Sequence, residues 1–224
     1  MATALQLPPS LGDIRFAVPQ PRTYERISTG IPAIDALTNG GIPRGTITEI
    51  YGPASSGRTS LLFSLLARVT ANREYCAVID TADAFDPASA AAAGVRLARV
   101  VWIRCGGNAE YALKCCDLIV QAGGFGAIVM DLGDTAPRTA ARISLASWFR
   151  LRHAVERTPA AMVVVEQQLN AKSCSALQLE LRSEEVRWSG REYGKLLRGM
   201  RIRAESRKHH YAQAAEFAVH AIDG

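Results

Sequence analysis

Nowhere in these 224 residues is there an apolar run approaching the roughly 18 residues needed to cross a bilayer. The first residues, MATALQLPPSLGDIRFAV, lack the basic start and apolar stretch of a signal peptide, so a cytoplasmic location is expected. Cysteine is sparse and odd in number, five in all, with no metal-ligand spacing. That excludes a disulfide scaffold and a zinc ribbon. Cys76 and Cys105 stand in apolar, strand-like contexts and read as buried thiols of a reducing compartment. There is no internal repeat, and no low-complexity segment beyond Ala90–Ala93. With 48% hydrophobic residues, wholesale disorder is excluded as well.

What is present begins with charge. Twenty-six Lys and Arg outweigh 21 acids, giving +5. Between Arg182 and Lys208 nine basic residues face four acids, an excess equal to the whole net charge. Two readings stand: a solvated strand face, or a surface for an anionic partner. A second basic group, Arg138, Arg142, Arg150, Arg152 and Arg157 with His153, surrounds Trp148. Arg150 and Arg157 lie about two helical turns apart and can share a face.

Residues 1–27 carry four prolines and no sustained periodicity. They read as an N-terminal arm with one short strand at 14–18, and 28–224 as a single core domain. Strands are expected at 46–51, 76–80, 100–103, 127–132 and 162–166. Helices are expected at 60–71, 86–93, 109–122 and 143–157. In the last of these Leu145, Trp148, Phe149, Leu151 and Val155 are expected to face the core. Leu177, Leu179 and Leu181 alternate with polar residues; so do Met200, Ile202 and Ala204, then Phe217, Val219 and Ala221. Strands alternating with helices, followed by period-two segments, predict an α/β fold: a mostly parallel sheet flanked by helices, with an antiparallel C-terminal extension.

The sharpest motif follows the first core strand. Gly52 and Gly57 stand five apart in Gly-Pro-Ala-Ser-Ser-Gly-Arg-Thr-Ser, a phosphate-loop pattern with Arg58 where lysine is usual. Inward backbone N–H groups and a helix N-terminus suit phosphates. Gly52, Pro53, Ser55, Ser56, Gly57, Arg58, Thr59 and Ser60 are therefore the candidate nucleotide-binding residues. Arginine is planar and forked, and does not reproduce the ammonium geometry of lysine. Thr59 is placed to ligate Mg²⁺. Asp131, ending the strand at 127–132, is placed to hold the metal's water shell; the alternative is a helix or turn cap.

Ile27–Asp35, Gly40–Gly45, Glu49–Thr59, and Cys76–Asp80 through Pro87 resemble the core of bacterial RecA recombinases, and Glu216-Phe217 extends the likeness. The resemblance implies a RecA-like P-loop core, without the separate C-terminal domain of that family. It also exposes departures. The family's catalytic glutamate falls at Ala82, and Asp83 is the one nearby substitute. Loss of the base implies a fall in hydrolysis of roughly 10²–10⁴-fold. Gln167 matches the glutamine that senses the γ-phosphate. Lys208 and His210 fall where two lysines reach a neighbour's nucleotide, so one lysine is missing. The segment after Asp131 is short, and the second DNA loop is reduced to 170–175.

The run Ile143–Glu156 resembles ImuA proteins, RecA-like paralogues of the bacterial translesion-synthesis mutasome. That resemblance implies an accessory or adaptor role in the DNA-damage response and error-prone synthesis, with a degenerate ATPase. The implied partners are an ImuB-like Y-family polymerase homologue, an error-prone polymerase and RecA itself. It further implies single-stranded DNA, a homo-oligomer, weak or lost ATP and Mg²⁺, and a nucleoid-associated location. Arg138, Arg142, Arg150 and Lys172 are the candidate DNA contacts. The alternative is an active DNA-dependent ATPase, for which the retained Thr59, Asp131 and Gln167 speak.

Overall fold

The computed structural model describes residues 24–190, 194–207 and 213–220. The expected strand at 14–18, Lys208, His210 and Ala221 lie outside the described residues.

Strand β1 (Arg26–Ile27) pairs antiparallel with β2 (Ile42–Pro43), and helix α1 (Pro32–Leu37) lies between them in sequence. Then come β3 (Thr46–Tyr51), α2 (Arg58–Ala71), β4 (Tyr75–Asp80), α3 (Pro87–Ala92) and β5 (Val100–Arg104). Next are α4 (Ala109–Ala122), β6 (Phe125–Asp131), α5 (Pro137–Ala140), α6 (Leu145–Val155) and β7 (Ala161–Glu166). Three strands close the chain: β8 (Leu177–Ser189), β9 (Leu196–Ser206) and β10 (Gln213–His220).

Eight strands form one sheet in the order β10-β9-β8-β3-β7-β6-β4-β5. From β8 to β5 every pairing is parallel; β8-β9 and β9-β10 are antiparallel. The expected architecture is therefore present. Central strands are buried on both faces, and successive residues feed two separate cores. Val78, Val129 and Val163 pack with Leu61, Leu65 and Leu66 of α2. Ile79, Ile128 and Met162 pack with Cys116 of α4 and with Trp148, Leu151 and Val155 of α6. Leu179, Leu181, Ile202, Ala204 and Phe217 bury the inner face of the antiparallel strands, as their period-two pattern requires.

The α6 expectation needs a correction. Trp148, Leu151 and Val155 are buried, but Leu145 is 48% exposed and Phe149 39%. A single helix lying on a sheet buries a narrow stripe, here at positions i, i+3 and i+7. Phe149 sits one residue, or 100°, off that stripe. Leu145, in the first turn, lines a surface cavity with Leu169 and Lys172 instead. The helix is also shorter than expected, starting at its cap Ser144.

Candidate functional site

The carboxyl ends of β3, β7, β6 and β4 lie in one row. Tyr51 is level with Glu166, and Asp131 is level with Asp80. Loops leaving that edge form the site. The loop between β3 and α2 turns back over the sheet because two glycines permit close packing. A Cβ on Gly52 would collide with the carbonyl of Leu181. Gly57 has φ +90°, and a Cβ there would enter the side chain of Ile202. The antiparallel strands thus support the loop from behind. Pro53, Ala54, Ser55 and Thr59 are exposed, Ser60 is half-buried, and Ser56 and Arg58 are buried.

Gly57 caps α2 without a side-chain hydrogen bond, and no acidic residue stands in the first turn. The free N–H groups and the helix dipole both favour an anion there. Arg58 crosses to the loop after β6, where its Nη1 donates to the carbonyl of Gly133 at 3.2 Å. Gln167 Nε2 donates to the same carbonyl at 3.0 Å and to that of Thr135 at 3.4 Å. The structure thus brings Arg58, Asp131 and Gln167 together around Gly133.

Asp131 Oδ1 accepts the Gly133 N–H at 2.8 Å, so this carboxylate does cap its own turn. Burial pushes its carboxyl up to about 6. The Gly133 hydrogen bond and the Arg58 charge oppose that rise, while Asp80 and Asp134 add to it. A Cβ on Gly133 would lie 2.9 Å from Asp131 Oδ1 and 3.3 Å from Arg58 Nη1, so the guanidinium and the carboxylate flank Gly133 within about 6 Å of each other without forming an ion pair. Tested against Mg²⁺, this donor set fits poorly. One carboxylate oxygen is already hydrogen-bonded and a fixed guanidinium lies within about 6 Å, which leaves Asp131 Oδ2 and the exposed Thr59 hydroxyl as the open oxygens. Among the described residues no group of three or more His, Cys, Asp or Glu is arranged to hold a metal.

On the far side, Ala82 offers no carboxylate. Asp83 holds Arg104 through two hydrogen bonds of 2.6 Å, Nε to Oδ1 and Nη2 to Oδ2. That contact keeps its carboxyl below the usual range and makes it a weaker base. Asp80 is structural. It accepts from the N–H groups of Ala84 and Phe85 at 3.1 and 2.9 Å and from Trp102 Nε1 at 3.1 Å.

Sequence reasoning missed a buried carboxyl pair behind the site. Glu49 Oε1 accepts the N–H groups of Asn170, Ala171 and Lys172 at 3.0, 2.6 and 3.2 Å. Its Oε2 accepts from Ser175 Oγ and from Gln178 Nε2. Burial, then the adjacent Glu49, pushes the Glu166 carboxyl well above its ordinary value. The reduced loop at 170–175 is therefore pinned to β3. Glu166 ends a strand beside the phosphate-type loop, the same positional signal that singled out Asp131.

The basic candidates separate. Arg142 and Lys172 line neighbouring cavities that share Ile143. Arg138 is exposed on α5. Arg150 and Arg157 do share a face, in a cavity with His153, although Arg150 also faces Asp117 at 3.8 Å. On β8 and β9 much of the basic excess is matched. Glu180 holds Arg182 and Arg207, Glu185 holds Arg187 and Arg201, and Glu205 holds Arg203. No helix among the described residues is long and apolar enough to cross a membrane.

One comparison bears on this geometry: the sequence model of the family described as the RecA N-terminal domain matches residues 14–145, more than half of the chain.

Proposed function

From the premise that the chain belongs to the RecA N-terminal domain family, we propose that this member is an accessory protein rather than an efficient ATPase. It keeps a phosphate cradle but lacks the base that would orient a hydrolytic water. The observation that carries this is at Asp83. Asp83, the carboxylate next to Ala82, is held by Arg104 through both oxygens, and Asp80 is taken up by Ala84, Phe85 and Trp102. The role is that of an adaptor in the bacterial DNA-damage response, joining an ImuB-like Y-family homologue to an error-prone polymerase. The likeness of Ile143–Glu156 to ImuA proteins supports it. Exposed Leu145 and Phe149 on that same segment, with Arg150 and His153 nearby, supply surface for a protein partner. Contact with single-stranded DNA through Arg138, Arg142, Arg150 and Lys172, self-association and a nucleoid location belong to the same proposal.

The test is ATP turnover by the purified chain with Mg²⁺, with and without single-stranded DNA, with Asp131→Asn as the contamination control. The expected result is no turnover above the variant, together with binding of the polymerase homologue. DNA-stimulated turnover that Asp131→Asn abolishes would establish the active ATPase instead. Absence of partner binding at micromolar concentration would overturn the adaptor role.

A further inference from the structure

Seven buried side-chain polar atoms among the described residues have no hydrogen-bond partner, and three of them belong to segments at this end of the sheet: Ser56 Oγ in the loop, Thr81 Oγ1 after β4 and Thr135 Oγ1 after β6. Their residues are 1%, 0% and 6% exposed. Ser56 Oγ lies 2.8 Å from the point a Cβ on Gly52 would occupy, inside the curl of the loop. Thr81 follows β4, and its N–H donates to the carbonyl of Asp131 at 3.1 Å. Thr135 presents its carbonyl to Gln167. A buried donor without a partner is costly, and Ser56, which lies in the loop itself, is the one of the three placed to meet an acceptor-rich ligand. The uncapped first turn of α2 asks for the same ligand.

The charge balance at this place is unusual. A polyphosphate brings several negative charges and normally shares them with a divalent cation. Here a guanidinium from the chain is fixed at the Gly133 carbonyl, within about 6 Å of the Asp131 carboxylate. Arg58 is 7% exposed and spends one N–H on Gly133, which leaves further donors of its fork for phosphate oxygens. A lysine would carry the same single charge, so what sets this guanidinium apart is where the Gly133 bond holds it and the donors of its fork. A second, divalent cation at this spot would meet it at close range in a poorly solvated pocket, which is repulsive.

We propose that the cradle takes a nucleoside polyphosphate without a divalent cation, Arg58 supplying from the chain the charge that a metal would bring. This rests on the retained phosphate cradle of the reading above. It predicts that nucleotide affinity is indifferent to Mg²⁺, and that lysine at this position restores a metal requirement. A lysine ammonium is a compact point charge without the fork that reaches Gly133.

The experiment is equilibrium binding of methylanthraniloyl-ATP to the full chain in Mg²⁺ and in EDTA, after dialysis against EDTA. Wild-type Kd is expected to agree within about twofold between the two conditions. Arg58→Lys is expected to weaken binding about tenfold in EDTA, the worth of one charge-assisted hydrogen bond, and to recover it in Mg²⁺. Circular dichroism checks that the variant is folded; if it is not, the wild-type comparison alone decides. A tenfold or greater loss by the wild type in EDTA overturns the proposal. So does a folded Arg58→Lys that is indifferent to metal, or no wild-type binding in either condition. Metal-dependent binding without turnover removes this proposal and leaves the adaptor standing. Metal-dependent turnover removes both.

Discussion

Replacing Asp131 by Asn should stabilise the free protein at neutral pH and not at acid pH. The carboxyl has been moved from its ordinary 3.8 to about 6, chiefly by burial. A raised folded-state pKa means that the folded chain binds the proton more tightly than the unfolded one. Below the unfolded value both forms are protonated and the group costs nothing. As pH rises from about 4 through about 6 the folded carboxyl must ionise in poor solvent, and stability falls. A tenfold change in proton affinity is worth ~1.4 kcal/mol, so the ceiling on this loss is ~3 kcal/mol. Asp131 is only partly buried, and solvent screening reduces the expected figure to ~1–2 kcal/mol. Asn keeps an oxygen to accept the Gly133 N–H, so the turn at that hydrogen bond should survive. Urea denaturation of both proteins, free of nucleotide and metal, gives the difference at each pH, in which every other titrating group largely cancels. The variant's advantage should open between pH 4 and 6.5 and then level off. A difference that is flat with pH, or that opens in the opposite direction, would refute the burial reasoning.

Further outcomes follow from packing. Leu151→Ala, at a 1% exposed position, should cost ~2–5 kcal/mol in urea denaturation. Leu145→Ala, at 48% exposure, should stay within ~1 kcal/mol of wild type, and equal losses at the two would contradict the α6 stripe. Gly57→Ala should lose ~2 kcal/mol or more from its positive φ and the clash with Ile202, together with nucleotide affinity. Glu49→Ala removes an acceptor from five donors and leaves the N–H groups of Ala171 and Lys172 with none, which should cost roughly 3 kcal/mol. Amide hydrogen exchange at Asn170, Ala171 and Lys172 should accelerate in that variant, and unchanged protection would show that the loop is held by something else.

Much of the sheet was legible because its strands alternate with helices that carry their own start signals. The helices expected at 86–93 and 109–122 are capped by Asp86 and Asn108. The phosphate-type loop was legible because its glycines answer to local geometry. The Glu49 network was not. In β3 all six residues are buried, polar and apolar alike, so periodicity carries no information there. The partners of Glu49 lie more than 120 residues further on. The engagement of Asp83 by Arg104 was hidden for a related reason: it depends on β4 and β5 being neighbours. Leu145 and Phe149 failed because helical spacing identifies candidates for burial but not how wide a stripe the sheet covers.

The strand order has a consequence for synthesis of the chain. Strand β3 is complete at Tyr51, yet both of its neighbours, β7 and β8, begin only at Ala161 and Leu177. While the ribosome makes the intervening residues, β4, β5 and β6 can pair among themselves, but β3 waits with two bare edges. Closure comes when β7 enters between β3 and β6, joining two half-sheets in one late, non-local step. A fragment ending between α2 and β7 would contain the whole phosphate-type loop yet lack the strands that flank β3 and back the loop, and its open strand edges would invite aggregation.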